Sequence, residues 1–239
     1  MKVTISHAPH RLFGYALTLA LHGGNSVAMY IALQGDVMKD PDVQKLYSLR
    51  WVYLTIWNVM YQLLYAFLGI LCDLPTFLEI KEHKYLKHLK VYRELLFVSI
   101  ILPLGLGIFS FFWPLYIYDR EMIFPSFIDR AFSQVSNHIM HTAIAPIVLW
   151  DLIFLPKYTP RSHKWNLIHT FGFYFSYLFV LFSTFAARGI WPYPILKTIY
   201  GTMYFPMVFV IIALYIYGLY WGQWHINALL WRSNSKVKE

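Results

Sequence analysis

Six stretches of the chain contain no Asp, Glu, Lys or Arg, and each is at least 20 residues long. They cover residues 12 to 35, 51 to 72, 95 to 118, 131 to 150, 165 to 187 and 198 to 231. A helix of about 20 apolar residues crosses the hydrocarbon core of a bilayer, and a chain in lipid must satisfy its backbone hydrogen bonds internally. The pattern therefore predicts an all-α polytopic membrane helix bundle with six transmembrane helices, forming one domain over residues 1 to 239.

The composition agrees with a membrane protein and argues against a nucleic-acid partner. Charged residues make up 13% of the chain, against about 25% in soluble domains. The net charge of +8 comes from Lys and Arg in the short segments between the apolar stretches, and no continuous basic face is present. The single cysteine, Cys72, excludes an intrachain disulfide and a thiolate metal cluster. Membrane lipids are the expected surroundings, and the sequence does not indicate an oligomeric state.

The first and the last of the six stretches differ from a simple membrane span. The first follows Lys2 and Arg11, as the apolar part of a signal peptide would, but it is too long and no small-residue cleavage pattern closes it. We therefore interpret it as a span. The last stretch has 34 residues and contains Pro206, so we expect one over-long or kinked helix there.

Loop charges predict the orientation in the membrane. Of the 20 Lys and Arg residues, 13 lie in the N-terminal segment, in the loops 73–94 and 151–164, and in the C-terminal tail. Because positively charged loops stay on the cytosolic side, both termini should be cytosolic. The tail S-K-V-K-E resembles a dilysine retrieval signal with its lysines one position out of register. The expected location is the endoplasmic reticulum or another endomembrane, or the plasma membrane.

Polar side chains form stripes along four of the predicted spans. Residues three, four or seven apart lie on one helical face, and a polar face directed at lipid is costly, so these stripes should face the bundle interior. Such residues can simply join helices by hydrogen bonds, although an ionisable residue inside a span favours a functional site. The four stripes are Thr18, His22 and Asn25; Thr55, Asn58 and Gln62; Gln134, Asn137, His138 and His141; and His169, Ser176 and Ser183.

Common catalytic motifs are missing from the sequence, which reduces the number of reaction mechanisms to consider. The sequence has no G-x-S-x-G and no H-E-x-x-H. The H-x-x-H pair of His138 and His141 supplies only two ligands, with no acid on the same helix, so neither a metal site nor a cofactor is expected. A hydroxyl and an imidazole remain. A threonine hydroxyl is a poor nucleophile, and a neutral histidine can remove its proton as it attacks a carbonyl.

Four segments carry a family resemblance: LRWVYLTIWNVMYQ at 49–62, YDREMIFP at 118–125, SNHIMHTAIAP at 136–146 and GIWPYPIL at 189–196. In order and spacing they resemble the androgen-induced gene 1 family, which includes the androgen-dependent TFPI-regulating protein, and YDREMIFP is closer to the androgen-induced gene 1 branch. The resemblance implies a multi-pass membrane hydrolase that cleaves fatty acid esters of hydroxy fatty acids. By motif, the catalytic pair would be Thr55 and His141.

The resulting hypothesis is acyl transfer through Thr55, with His141 as general base and acid. Asn137 could orient the imidazole, Asn58 could stabilise the oxyanion, and His138 is a further supporting candidate. The substrate would be a lipid with two acyl chains, in a pocket walled by Phe, Leu and Tyr side chains. Two alternatives stay open: a lipid-binding or scaffold protein without enzymatic activity, and a metal enzyme that uses His138 and His141.

Overall fold

A computed structural model describes residues 7–81 and 83–231, and within these ranges every regular element is a helix. The all-α prediction is confirmed. Lys2, the tail S-K-V-K-E and the charges around it lie outside the described residues. The α-helices are α1 (Ala8–Thr18), α2 (Gly24–Ala32), α3 (Pro41–Ser48), α4 (Leu54–Phe77), α5 (Lys84–Leu96), α6 (Leu102–Asp119), α7 (Gln134–His141), α8 (Ile144–Phe154), α9 (Lys164–Arg188), α10 (Pro194–Ile199) and α11 (Tyr204–Trp231).

Four helical segments of the described chain are long and apolar enough to cross a membrane. They are α4, the continuous helix Lys84–Met122 that contains α5 and α6, α9, and α11. The predicted first span falls in α1 and α2, which a π-helical turn at Leu19–Gly23 joins. The predicted fourth span is divided into α7 and α8, two helices of 8 and 11 residues.

The division after His141 follows from Pro146. A proline inside a helix lacks the N–H donor and its ring clashes with the carbonyl four residues earlier, which here belongs to Thr142. The chain therefore turns at residues 142 and 143 before α8 begins. Pro206 has no such effect, because α11 starts at Tyr204 and the first-turn N–H groups of a helix need no intrahelical partner. The last stretch forms a single long helix of 28 residues, as expected, with Pro206 in its first turn.

A second π-helical turn, Phe97–Ile101, separates α5 from α6 and lies in the core. Pro103 cannot donate to the carbonyl of Ser99 four residues before it. The hydroxyl of Thr170 donates to that oxygen over 2.8 Å, and Nε2 of Gln223 donates to the carbonyl of Val98 over 2.9 Å. Side chains of α9 and α11 thus satisfy the backbone that the π turn releases, and this fastens both helices to the centre of the bundle.

The polar stripes of the first two predicted spans face inward, as expected. His22 is fully buried, and its Nε2 lies 3.0 Å from Oε1 of Gln62, which joins α4 to the π turn between α1 and α2. Thr18, Asn25, Thr55 and Asn58 are also buried. The two stripes therefore meet each other across neighbouring helices.

The stripe predicted for the fifth span was wrong, because His169, Ser176 and Ser183 lie on the exposed face of α9. Ser176 donates to the carbonyl of Gly172 and His169 contacts that of Trp165, each one turn back. Such local bonds satisfy a polar group without a neighbouring helix. The buried face of α9 carries Thr170, Tyr174, Tyr177 and Leu181 instead.

The stripe of the fourth span was wrong in part. Asn137 and His141 are buried, whereas Gln134 and His138 are exposed. Gln134 lies in the first turn of α7 and donates to Asp129 over 2.9 Å, so the preceding loop rather than the bundle supplies its partner. Half of the stripe therefore faces away from the bundle interior.

Charges at the ends of the predicted spans are buried rather than solvated. Asp73 accepts from Nε of Arg11 over 2.8 Å and from a guanidinium nitrogen of Arg93 over 2.9 Å. Asp151 pairs with Lys157, a buried residue of the loop between α8 and α9. Buried charges are normally paired in this way. The two clusters connect α1, α4, α5 and α8.

Candidate functional site

A cavity of about 650 Å³ lies between the described helices, and its wall is almost entirely apolar. The first turn of α4 and the last turn of α7 bring polar groups to this wall. Cavities of this size that combine apolar walls with a few polar groups are typical of small-molecule sites. The wall residues that bear on the chemistry are Tyr53, Leu54, Thr55, Phe112, Phe124, His141, Tyr177 and Tyr193.

Thr55 is the second residue of α4 and lines the cavity. The N-cap is Tyr53, whose carbonyl accepts from the backbone N–H of Ile56 over 3.0 Å and from that of Trp57 over 3.4 Å. The N–H of Leu54 donates to the phenol oxygen of Tyr193 over 2.8 Å. Thr55 is only 8% exposed. Its hydroxyl forms no hydrogen bond with the described residues, and its oxygen is not fully enclosed.

His141 is the last residue of α7 and is 5% exposed. Its imidazole stacks on the ring of Phe112, with centroids 3.5 Å apart and planes 8° apart, and the edge of Phe124 lies beside it. The backbone carbonyl of His141 accepts from the indole of Trp113 over 3.3 Å. Aromatic packing therefore fixes the ring plane, while Nδ1 is buried without a partner in the described chain.

The structure brings Thr55 and His141 to one cavity although they lie 86 positions apart in the sequence. Helices α4 and α7 are in contact, and no hydrogen bond joins the two side chains. Hydrogen bonds between catalytic groups often tighten only when substrate is bound. A hydroxyl and an imidazole on one apolar wall are the two groups that nucleophilic attack on a carbonyl requires.

The three supporting candidates do not line this cavity. Asn58 is fully buried, and its Oδ1 accepts from Gln62 over 3.4 Å. Asn137 is 2% exposed, and neither side-chain amide atom has a partner in the described residues. His138 is exposed, and its Nδ1 lies 3.0 Å from the hydroxyl of Thr142. The roles suggested for these residues stay predictions.

His138 and His141 lie in different surroundings, one exposed and one buried. Within residues 7–81 and 83–231, no three His, Cys, Asp or Glu side chains come together in a group that could hold a metal ion. The geometry of these two histidines therefore offers no additional metal ligand beside them.

Sequence reasoning missed the two tyrosines beside Thr55. The phenol oxygens of Tyr177 and Tyr193 lie 3.1 Å apart, and Tyr193 is the group that receives the N–H of Leu54. Tyr193 belongs to the segment GIWPYPIL, which carried part of the family resemblance. The segment was a signal for this residue, but its contact with α4 depends on a pairing of positions 139 residues apart.

Comparison with known proteins identifies relatives of this chain. The model of the family described as FAR-17a/AIG1-like protein matches residues 18–228. The chain belongs to this family. It is 30% identical over 179 residues to the human androgen-dependent TFPI-regulating protein, covering 73% of this chain and 76% of the relative. The mouse protein of that name is 29% identical over 181 residues, which cover 74% and 77% of the two chains.

Human androgen-induced gene 1 protein is 29% identical to this FAR-17a/AIG1-like protein over 159 residues, which cover 64% of this chain and 66% of the relative. The family prediction is confirmed. The two branches have nearly equal identities, so the preference for the androgen-induced gene 1 branch stays a prediction. No solved structure matches the chain.

Proposed function

We propose that this FAR-17a/AIG1-like protein is a membrane-embedded esterase with Thr55 as nucleophile and His141 as general base. The observation that carries the proposal is the placement of both side chains on the wall of one apolar cavity. The Thr55 hydroxyl forms no hydrogen bond within the described chain, and the His141 imidazole stacks on the ring of Phe112. The family resemblance supplies the substrate class, which is fatty acid esters of hydroxy fatty acids. No cofactor takes part in the proposed reaction.

The reaction would proceed in two steps, acylation of Thr55 and hydrolysis of the acyl group. His141 removes the proton of the Thr55 hydroxyl as its oxygen attacks the ester carbonyl, and the resulting imidazolium returns that proton to the departing hydroxy fatty acid. The acyl group is then bound to Thr55. In the second step His141 takes a proton from water, whose oxygen attacks the acyl carbonyl, and protonates the Thr55 oxygen as the fatty acid leaves.

The surroundings in the proposal are a lipid bilayer. In it the chain forms one domain with six spans, α1 with α2 as the first and α7 with α8 as the fourth, and both termini are cytosolic. The polar side chains that lower the apolar character of these two spans are directed inward, for example His22 and His141. Lipid substrates would enter from the membrane of the endoplasmic reticulum, another endomembrane or the plasma membrane.

A second function is supported by the cavity itself. An apolar cavity of about 650 Å³ can hold acyl chains whether or not Thr55 reacts, so a lipid-binding protein without catalysis is the alternative. Substitution of Thr55 separates the two functions, because binding needs the cavity and hydrolysis needs the hydroxyl.

The test compares Thr55→Val with Thr55→Ser in proteoliposomes that contain an ester of a hydroxy fatty acid. Val has nearly the shape of Thr without a hydroxyl, whereas Ser keeps the nucleophile. We expect Thr55→Val and His141→Ala to lose hydrolysis, Thr55→Ser to retain part of it, and all variants to melt near the wild-type temperature. Hydrolysis by Thr55→Val at the wild-type rate would refute the proposal. Lipid binding by a wild-type protein without hydrolysis would support the alternative.

A further inference from the structure

The backbone N–H of Thr55 is a free donor at the cavity. Of the first four N–H groups of α4, that of Leu54 bonds to Tyr193, and those of Ile56 and Trp57 bond to the carbonyl of Tyr53. The N–H of Thr55 has no partner in the parts of the chain that the structure describes. The first N–H groups of a helix carry partial positive charge and point out of its N-terminal end, so this donor suits a negatively charged oxygen.

A second free donor follows from counting protons on the tyrosine pair. Tyr177 and Tyr193 together carry two phenol protons, and one of them makes the 3.1 Å bond between the two oxygens. The N–H of Leu54 occupies an acceptor position on Tyr193 and supplies no acceptor for the other proton. Whichever phenol donates within the pair, one proton is left without an acceptor among the described residues.

This remaining proton is held close to the proposed nucleophile. Tyr193 bonds to the peptide N–H immediately before that of Thr55, and both tyrosines line the cavity. Tyr177 is 7% exposed and Tyr193 is half-buried, so water is largely kept from the Tyr177 phenol. Burial also raises the pKa of the Tyr193 phenol, which therefore keeps its proton at neutral pH.

The donors belong to residues that line the same cavity as the proposed reacting groups. Thr55 and His141 are each more than nine-tenths buried, and Nδ1 of His141 is buried without a partner in the described chain. Asn58, the donor suggested by helical spacing, does not reach the cavity wall. A carbonyl attacked by the Thr55 hydroxyl would have its oxygen beside the N–H of the same residue and the neighbouring phenol.

We propose that the backbone N–H of Thr55 and a phenol proton of the Tyr177–Tyr193 pair form the oxyanion hole of the esterase. The inference rests on the proposed function. When the Thr55 oxygen bonds to the ester carbonyl carbon, the carbonyl π electrons move to its oxygen, and the two donors stabilise that negative charge until the C–O bond to the alcohol breaks. Donors fixed before the reaction stabilise charge at no reorganisation cost.

The two tyrosines differ in the loss expected on substitution. Tyr193→Phe removes the oxygen next to α4 and should lower kcat by on the order of 100-fold, the usual effect of deleting one oxyanion donor. Tyr177→Phe leaves Tyr193 bonded to Leu54 with its own proton free, so its loss should stay below about 10-fold. In both variants KM should be unchanged, because the donor acts on the transition state more than on bound substrate.

Tyr174→Phe is the matched control. Tyr174 lies on the same helix and lines the same cavity, but its hydroxyl donates to the carbonyl of Phe209 over 2.7 Å and has no spare proton. We expect its kcat to match that of the wild type. A long-chain trifluoromethyl ketone, which forms an oxyanion adduct with a reactive hydroxyl, should bind Tyr193→Phe more weakly by the same factor as the loss in kcat.

A second variant, which tests the donor without deleting it, carries 3,5-difluorotyrosine at position 193. This residue keeps both hydrogen bonds but ionises at lower pH than tyrosine. Because a phenolate has no proton to donate, kcat should fall at alkaline pH as residue 193 ionises, and in this variant the fall should occur at lower pH than in the wild type. An unchanged alkaline limb, an unchanged kcat in Tyr193→Phe, or an equal loss in Tyr174→Phe would overturn the oxyanion assignment while Thr55-dependent hydrolysis stands. Absence of Thr55-dependent hydrolysis in the wild type would overturn both proposals.

Discussion

Replacing Asp151 by Asn should destabilise the protein by about 3–5 kcal/mol, the usual effect of removing one partner of a buried ion pair. Asp151 is 4% exposed and accepts from Tyr15 over 2.7 Å, from Tyr65 over 2.8 Å, and from the ammonium of Lys157. An Asn side chain keeps the shape, but it replaces one carboxylate oxygen by an NH2 group. The two phenols donate to different oxygens, so only one of them keeps its acceptor. The loss arises from that phenol and, above all, from the buried Lys157 ammonium, whose nearest counter-ion is gone.

The pH dependence of this variant follows from Lys157. Burial lowers the pKa of the Lys157 ammonium, and Asp151 opposes that shift. The unfolded state, with a lysine pKa of about 10.4, then binds more protons than the folded state at the pH values between the two pKa values, so stability rises with pH there. Removing Asp151 widens this window. The deficit of Asp151→Asn should therefore shrink as the pH is raised from about 7 toward 10.4, by at most about 1.4 kcal/mol per pH unit.

The assay is thermal unfolding of detergent-solubilised Asp151→Asn, Lys157→Met and the double variant, each measured at several pH values. The double variant contains neither charge and should melt above Asp151→Asn, because replacing a whole buried pair is often nearly neutral. Equal melting temperatures of Asp151→Asn and the wild type would refute the reasoning. So would a double variant whose losses are the sum of the two single losses.

Other substitutions separate packing from chemistry. Gly69→Ala would place a Cβ 2.5 Å from the buried ring of Tyr15 and should cost about 1–3 kcal/mol in thermal unfolding; Gly172→Ala, with nothing within 4 Å, is its control and should be neutral or slightly stabilising. His138→Ala should retain hydrolysis, since its ring is exposed and contacts Thr142; a loss as large as that of a catalytic residue would argue against its position outside the site. In a pH–rate profile, activity should be undiminished at pH 7 and should fall with a single-proton slope only below about pH 6.5, as the general base becomes protonated. His138→Ala should keep that slope; a profile that stays flat down to about pH 5 in folded protein would contradict the assignment of His141.

The helical class was predictable because it depends on local properties of the chain. Uncharged stretches of span length leave few alternatives, and the inward faces of His22 and Gln62 follow from periodicity and the cost of polar groups in lipid. The break after His141 was readable in principle from Pro146. The outward face of His169 was not, because spacing shows that residues share a face but not which neighbour that face meets.

The site was predictable in part, and the reason lies in sequence separation. Thr55 and His141 were found by motif resemblance, since no local pattern links residues on different helices. The phenol of Tyr193 reaches the N–H of Leu54 only through the packing of the loop before α10 against α4. Asp151 and Lys157 fall in the predicted loop 151–164, and only the folded chain shows them to be buried.

Covalent labelling tests whether Thr55 is the nucleophile. Membranes containing the protein would be treated with a long-chain fluorophosphonate, and the modified residue would be located by peptide mass spectrometry. We expect one phosphonylated residue, Thr55, with labelling abolished in Thr55→Val, strongly reduced in His141→Ala and unchanged in His138→Ala. Modification of a different residue, or full labelling of Thr55→Val, would contradict the assignment of Thr55 as nucleophile.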